Sequence, residues 1–222
     1  MTDQLVLPSA PDGLVAAFPS RLADDVCSVL SIMPVTKHAP AGPIQVEVLG
    51  EPVSVPYRIY HDELDARMQN SLTGIQRIVL HCLYSRHHDG RVRQHHLGQM
   101  MTSAEAWIAP FVVQLAGEYV LEILEAIRRG LSDLCVPGSA QRALYGQLLA
   151  HNPSFFARTE RRIVSYWSCY HRRSYPAFHT YPGSAMAEAF RDAASEQPGT
   201  LAARQTPRPV RIDSTGTYEW PE

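Results

Sequence analysis

A chain of 222 residues, 45% hydrophobic and 19% charged, is long enough to bury a core and has a globular composition, not a disordered or fibrous one. Its formal net charge of -2 excludes a global pull toward nucleic acid or an anionic membrane, so any such role needs local charge.

The first residues carry Asp3 and no basic n-region, so they do not read as a signal peptide. The nearly apolar run Trp107–Ala116 is interrupted by Pro110 and Gln114 and is too short to span a bilayer. Cys27, Cys82, Cys135 and Cys169 form no CxxC pair, which argues against a zinc ribbon or redox motif. A reduced, cytoplasmic setting is expected, with no membrane partner.

In chain order, residues 1–43 predict one short helix over Leu22–Met33 and a loop over Pro34–Pro43. Residues 44–60 alternate: Ile44, Val46 and Val48, then Val53, Val55, Tyr57 and Ile59, on either side of Gly50-Glu51-Pro52. Period-two alternation around a turn predicts a β-hairpin, and Pro56 puts its strand at an edge. Residues 61–195 are helical in pattern. Leu72, Ile75, Val79 and Leu83 make one apolar stripe, with Thr73 and Gln76 spaced for a capping box. Asp89 is placed to cap the next helix, which carries Val92, His96 and Met100 on one side.

Thr102 and Glu105 offer a second capping box, and Pro110 must kink or restart the helix that follows. Val120, Ile123, Leu124, Ile127 and Leu131 make a clear stripe, read as core. Gly138-Ser139 opens a helix, Asn152-Pro153 reads as N-cap and first helical residue, and Tyr175-Pro176 ends that helix. A short helix is expected over Ser184–Ala194. The remainder, 196–222, predicts a linker or tail, with a strand over its final VRIDSTGTYEW.

The fold class is therefore mainly α: stacked antiparallel helix pairs, as a short array or a compact bundle, with a small β-hairpin appendage. The pairs are Thr73–Arg86 with Arg91–Met101, Ser103–Ala116 with Glu118–Leu131, and Ser139–Ala150 with Pro153–Arg172. His88-Asp89-Gly90-Arg91-Val92-Arg93 resembles the turn and Val-Arg pair of HEAT-like repeats, and Ala109–Gly117 resembles the first helix of such a repeat. The resemblance covers residues 72–173. It implies a non-enzymatic scaffold whose partner is another protein, because stacked helix pairs expose an extended surface. The second and third units lack the Val-Arg pair. The chain also resembles proteins of actinobacteria, a likeness that implies no function.

Two constellations carry candidate chemistry. Segment 151–183 holds Arg158, Arg161, Arg162, Arg172 and Arg173 against the single acid Glu160, together with Trp167 and Tyr170. Arginine forks bind phosphates and aromatic faces stack bases, so the alternative function is binding of nucleic acid or a phosphate ligand. The plain alternative is a solvated arginine face over a core of Phe156, Ile163, Trp167 and Tyr170. The second constellation is the histidine-rich hairpin. His81, His88 and His95 are evenly spaced, and folding about Asp89-Gly90 brings His81 toward His95, a two-histidine metal candidate short of ligands. Cys169, beside His171, Arg172 and Arg173, is the candidate for a thiol enzyme. A metal- or thiol-dependent enzyme ranks third, and no cofactor is expected.

Overall fold

A computed structural model describes residues 12–199 and 201–207. The described chain is mainly α, with ten helices packed on one another and one two-stranded antiparallel hairpin. After a single turn at Asp12–Val15 (α1), α2 (Ala23–Ile32) buries Val26 and Val29. Strands β1 (Ile44–Val48) and β2 (Glu51–Val55) pair Val46 with Val53. The turn falls at Leu49-Gly50, one position before the expected Gly50-Glu51-Pro52, because both residues take positive φ (54° and 82°), as a two-residue hairpin loop requires. Val46, Val48, Val53 and Val55 all join the main core, so the hairpin's inner face is part of it.

Helix α3 (Ala66–Asn70) leads into α4 (Gly74–Tyr84), which starts with the Thr73–Gln76 capping box. Asp89 caps α5 (Gly90–Met100), accepting a hydrogen bond from the Arg91 amide. Helix α4 packs between α2 and α5, so its buried face widens to Leu80, Cys82 and Tyr84. Ile75, expected in the stripe, is 45% exposed. In α5 the inward residues are Arg93, His96, Leu97 and Met100, with Val92 only half-buried.

The Thr102–Glu105 capping box does not form. Glu105 instead accepts from the Trp107 indole (2.8 Å) and pairs with Arg21. A 3-10 turn intervenes before α6 (Ala109–Ala116), in which Pro110 occupies the first turn, where a missing N–H costs little. All eight residues of α6 are buried. Helix α7 (Leu121–Gly130) buries Ile123, Leu124 and Ile127, and Leu131 beyond its end is buried too. The Ser139 hydroxyl caps α8 (Ala140–His151). Helix α9 (Pro153–Tyr166) runs into a π-helical turn, Trp167–His171, ending earlier than Tyr175. Helix α10 is Pro182–Ser195.

Helix α4 packs on α5 and α6 on α7, whereas the chief partner of α8 is α10. Gly146 permits that approach: a Cβ there would lie 2.4 Å from the Ala193 carbonyl oxygen. Asn152 does not cap α9 with its side chain. Its amide reaches the outer edge of β1, accepting from the Glu47 N–H (2.7 Å) and donating to the Glu47 carbonyl (2.9 Å). Those backbone groups are otherwise unpaired on that edge, which makes them better partners than a helix end open to water. One continuous buried cluster runs from Leu14 to Ala194, and a smaller one gathers Leu124, Ile163, Phe178, Tyr181 and Ala187. Residues 201–207, expected in a tail, lie against α9 and α10: Arg204 pairs with Glu188 and the Gln205 amide donates to Glu160. The expected terminal strand lies outside the described residues. Among the described residues no helix is long and apolar enough to cross a membrane.

Candidate anion-binding site

The turn between α6 and α7 places Glu118 in the interior with no exposed side-chain surface. Its backbone amide closes the end of α6 by donating to the Leu115 carbonyl. Four arginines from four other segments surround the carboxylate. Arg58, just after β2, donates to both oxygens (2.8 and 2.9 Å). Arg86, beyond α4, and Arg93, on α5, approach to 3.4 and 3.5 Å. Arg162, on α9, stands at 3.8 Å. Four guanidiniums against one carboxylate leave three positive charges uncompensated within the cluster.

Backbone carbonyls hold the arginines in place. Arg86 donates to the Pro56 and Tyr57 carbonyls, and Arg93 to those of His87 and His88. Arg162 donates to the Gly117 carbonyl (2.9 Å) and to the Tyr57 hydroxyl (2.8 Å). Even so, Nη1 of Arg86 and Nε of Arg93 are buried and have no hydrogen-bond partner in the protein. A buried donor without an acceptor is costly, by about 1 to 3 kcal/mol and more when charged.

Electrostatics follow from this geometry. Burial pushes the Glu118 carboxyl up, but the guanidiniums outweigh it and hold it below the usual carboxylate range. Burial pushes Arg86 down to about 9, against the pull of Glu118 and with the help of the other arginines. Burial also lowers Arg93. The Tyr57 phenol is raised by burial, and Arg162, Tyr166 and Arg58 together outweigh that effect, for a net downward shift.

The cluster is graded in depth. Arg86 and Glu118 are fully enclosed, whereas the side chains of Arg58 and Arg162 keep 14% and 17% of their surface. Aromatic rings border that lip. Arg58 lies over the Tyr57 ring at 4.6 Å, and Arg162 over Tyr57 and Tyr166 at 4.9 and 5.3 Å. Tyr119 and Tyr170 sit beside Tyr166. The His171 ring bonds to the Tyr119 carbonyl (2.6 Å), tying the π turn to the α6–α7 turn.

Of the arginine–aromatic set read from the sequence, the structure brings Arg162 and Tyr170 to this place. Arg158, Arg161, Arg172 and Arg173 are exposed and do not join the group around Glu118. Arg172 stacks over Trp167 (5.5 Å), whose indole donates to the Tyr175 carbonyl. Arg58, Arg86, Arg93, Glu118, Tyr57 and Tyr119 escaped the sequence reading. One signal was available: Arg93 occupies the inward phase of α5, three residues before His96 and seven before Met100.

The histidines pair differently from the expectation. The ring that meets His81 is His96, Nδ1 to Nδ1 at 2.8 Å, while His95 is exposed. One residue is about 100° on a helix, and the inward phase of α5 selects His96. The second nitrogen of His96 faces Glu63 at 3.1 Å. If that nitrogen donates to the carboxylate, His96 Nδ1 accepts the proton of His81 Nδ1, and both rings are neutral. Burial foremost, with the neighbouring imidazoles, pushes His81 down to about 4 and His96 to about 3. Among the described residues no group of three His, Cys, Asp or Glu side chains is arranged to hold a metal ion. Cys169 is exposed on the π turn, and Cys82 is buried, which raises its thiol well above the ordinary value.

Comparison with models of known protein families, with curated proteins and with solved structures finds no match.

Proposed function

We propose that this protein binds a multiply charged anion, of the phosphate class, at the cluster of Arg58, Arg86, Arg93 and Arg162. The observation that carries this reading is the charge excess: four guanidiniums converge on one carboxylate, and two of them retain buried donors without acceptors. Guanidiniums cannot discharge at neutral pH, so the excess is relieved by an anion from outside. Arg58 and Arg162, at the lip, make the first contact, and Arg86 and Arg93 supply the field behind them. The role is binding, and no reaction is assigned to it.

The protein-scaffold expectation rests on the packed helix pairs α4–α5 and α6–α7. The exposed large apolar side chains include Val35, Met68 and Val136, from separate segments, and the adjacent rings of Tyr119 and Tyr170, which belong to the surroundings of the arginine cluster.

The test is a titration of inorganic pyrophosphate, followed by thermal unfolding and calorimetry at low ionic strength. A ligand that binds only the folded state raises stability by about 2.7 kcal/mol at a hundredfold excess over Kd. The stabilisation is expected to shrink as salt rises. Arg58→Gln and Arg162→Gln, at the less buried side of the cluster, are each expected to weaken binding about tenfold, and a melt of each unliganded variant measures the stability it loses. Absence of any pyrophosphate-dependent stabilisation at low salt would sink the reading.

A further inference from the structure

Contact with the arginines accounts for Tyr166, whose hydroxyl accepts from Arg162 (3.4 Å), but not for the exposed ring of Tyr170. Tyr119, Tyr166 and Tyr170 stand with ring centroids 5.7, 5.4 and 5.9 Å apart. Tyr170 remains 63% exposed and Tyr119 44%. Burial of apolar surface does not explain rings held together in the open. Arg162 links them to the charge cluster: its guanidinium lies over Tyr166 and also faces Glu118. A flat π-system docked on Tyr170 or Tyr119 would therefore sit beside Tyr166, over which Arg162 lies.

Two quantities narrow the ligand. The cluster has three uncompensated positive charges, and a diphosphate ester carries roughly three negative charges at neutral pH. Tyrosine faces take any nucleobase, because every base offers a π-face. Resting on the anion-binding reading above, we infer that the ligand is a nucleoside diphosphate. Its phosphate chain meets Arg58 and Arg162, and its base lies on the Tyr119–Tyr170 rim. Binding of this kind is tolerant of base identity, since stacking and not edge recognition holds the base.

Calorimetry on the full chain with three probes, ADP, pyrophosphate and phosphotyrosine, separates the possibilities. ADP is expected to bind about tenfold tighter than pyrophosphate. Tyr170→Ala removes that advantage and leaves pyrophosphate binding unchanged, whereas Tyr170→Phe, which keeps the ring face, retains it. Tyr170 is exposed, so neither change should disturb the fold, and a thermal melt of each variant checks this. Equal affinities for ADP and pyrophosphate, both indifferent to Tyr170→Ala, would overturn the nucleotide inference and leave the anion reading standing. Phosphotyrosine binding tighter than ADP would also overturn it, by moving the ligand to phosphorylated side chains. If neither ADP nor pyrophosphate binds, both readings fall together.

Discussion

Around the turn between α4 and α5, Arg86 and Arg93 keep their charge in the interior, whereas about one helical turn away from it, on α4 and α5, His81 and His96 give theirs up. Both places bury polar groups, and they meet the cost in opposite ways. A guanidinium stays charged at neutral pH even where burial lowers it, so the arginines draw in the Glu118 carboxylate and the backbone carbonyls of residues 56, 57, 87 and 88. An imidazole can release its proton, and the two rings then satisfy each other through one shared hydrogen bond. The chemistry of the side chain, more than the depth of burial, decides whether an interior polar cluster needs a counter-ion.

The largest effect that would break this contrast is at Glu118. Glu118→Gln leaves four arginines with no carboxylate among them, and a loss of about 3 to 5 kcal/mol is expected in denaturant unfolding. A loss under about 1 kcal/mol would show that the arginines do not depend on it. Next is acid. The folded-state values of His81 and His96 lie below the unfolded value of about 6.5. The unfolded chain therefore binds more protons, and their contribution is complete above about pH 6.5 and is lost as pH falls toward 4 and 3. His96 sets the scale, on the order of 2 kcal/mol between pH 7 and pH 5. Stability measured at pH 7 and pH 5 should differ less in His96→Gln than in the natural chain; an identical difference in both would locate the acid sensitivity elsewhere.

Asn152→Ala offers an uncharged buried polar group for comparison, since its amide also bonds the Leu148 carbonyl. Its removal leaves the Glu47 backbone groups bare, and about 2 kcal/mol is expected, read as a lower denaturant midpoint at unchanged slope. The smallest effect is Thr73→Ala, which opens an exposed capping box for about 1 kcal/mol. If Thr73→Ala cost as much as Glu118→Gln, burial would not be the variable that matters.

Much of the fold was legible because local rules and tertiary environment agree. The alternation of Ile44, Val46 and Val48, the Thr73–Gln76 box, the Asp89 and Ser139 caps and the Ile123–Leu124–Ile127 stripe each specify their own element. The arginine site was legible only at Arg162 and Tyr170. Its other members come from four separated segments, and convergence over such distances leaves no periodic trace in a sequence. Arg93 was concealed differently: reading the inward face of α5 through Val92 places a cation outside by habit, although the phase shared with His96 and Met100 puts it inside. The same one-residue phase separates His95 from His96. In segment 151–183 a high density of arginine told nothing of direction, and helix geometry sends Arg158 and Arg161 to solvent while turning Arg162 inward. The π turn at Trp167–His171 was equally invisible, since Tyr175-Pro176 is the stronger stop signal.

The Asn152 clamp has a further consequence. A two-stranded sheet has two open margins, each able to recruit a strand from another molecule and start a fibril. Here Asn152 occupies Glu47 on the outer margin of β1, and the Ser54 N–H of β2 donates to the Ala16 carbonyl (2.7 Å). The hairpin is thereby fenced on both sides by its own chain, with a side-chain amide on one margin and a backbone carbonyl on the other.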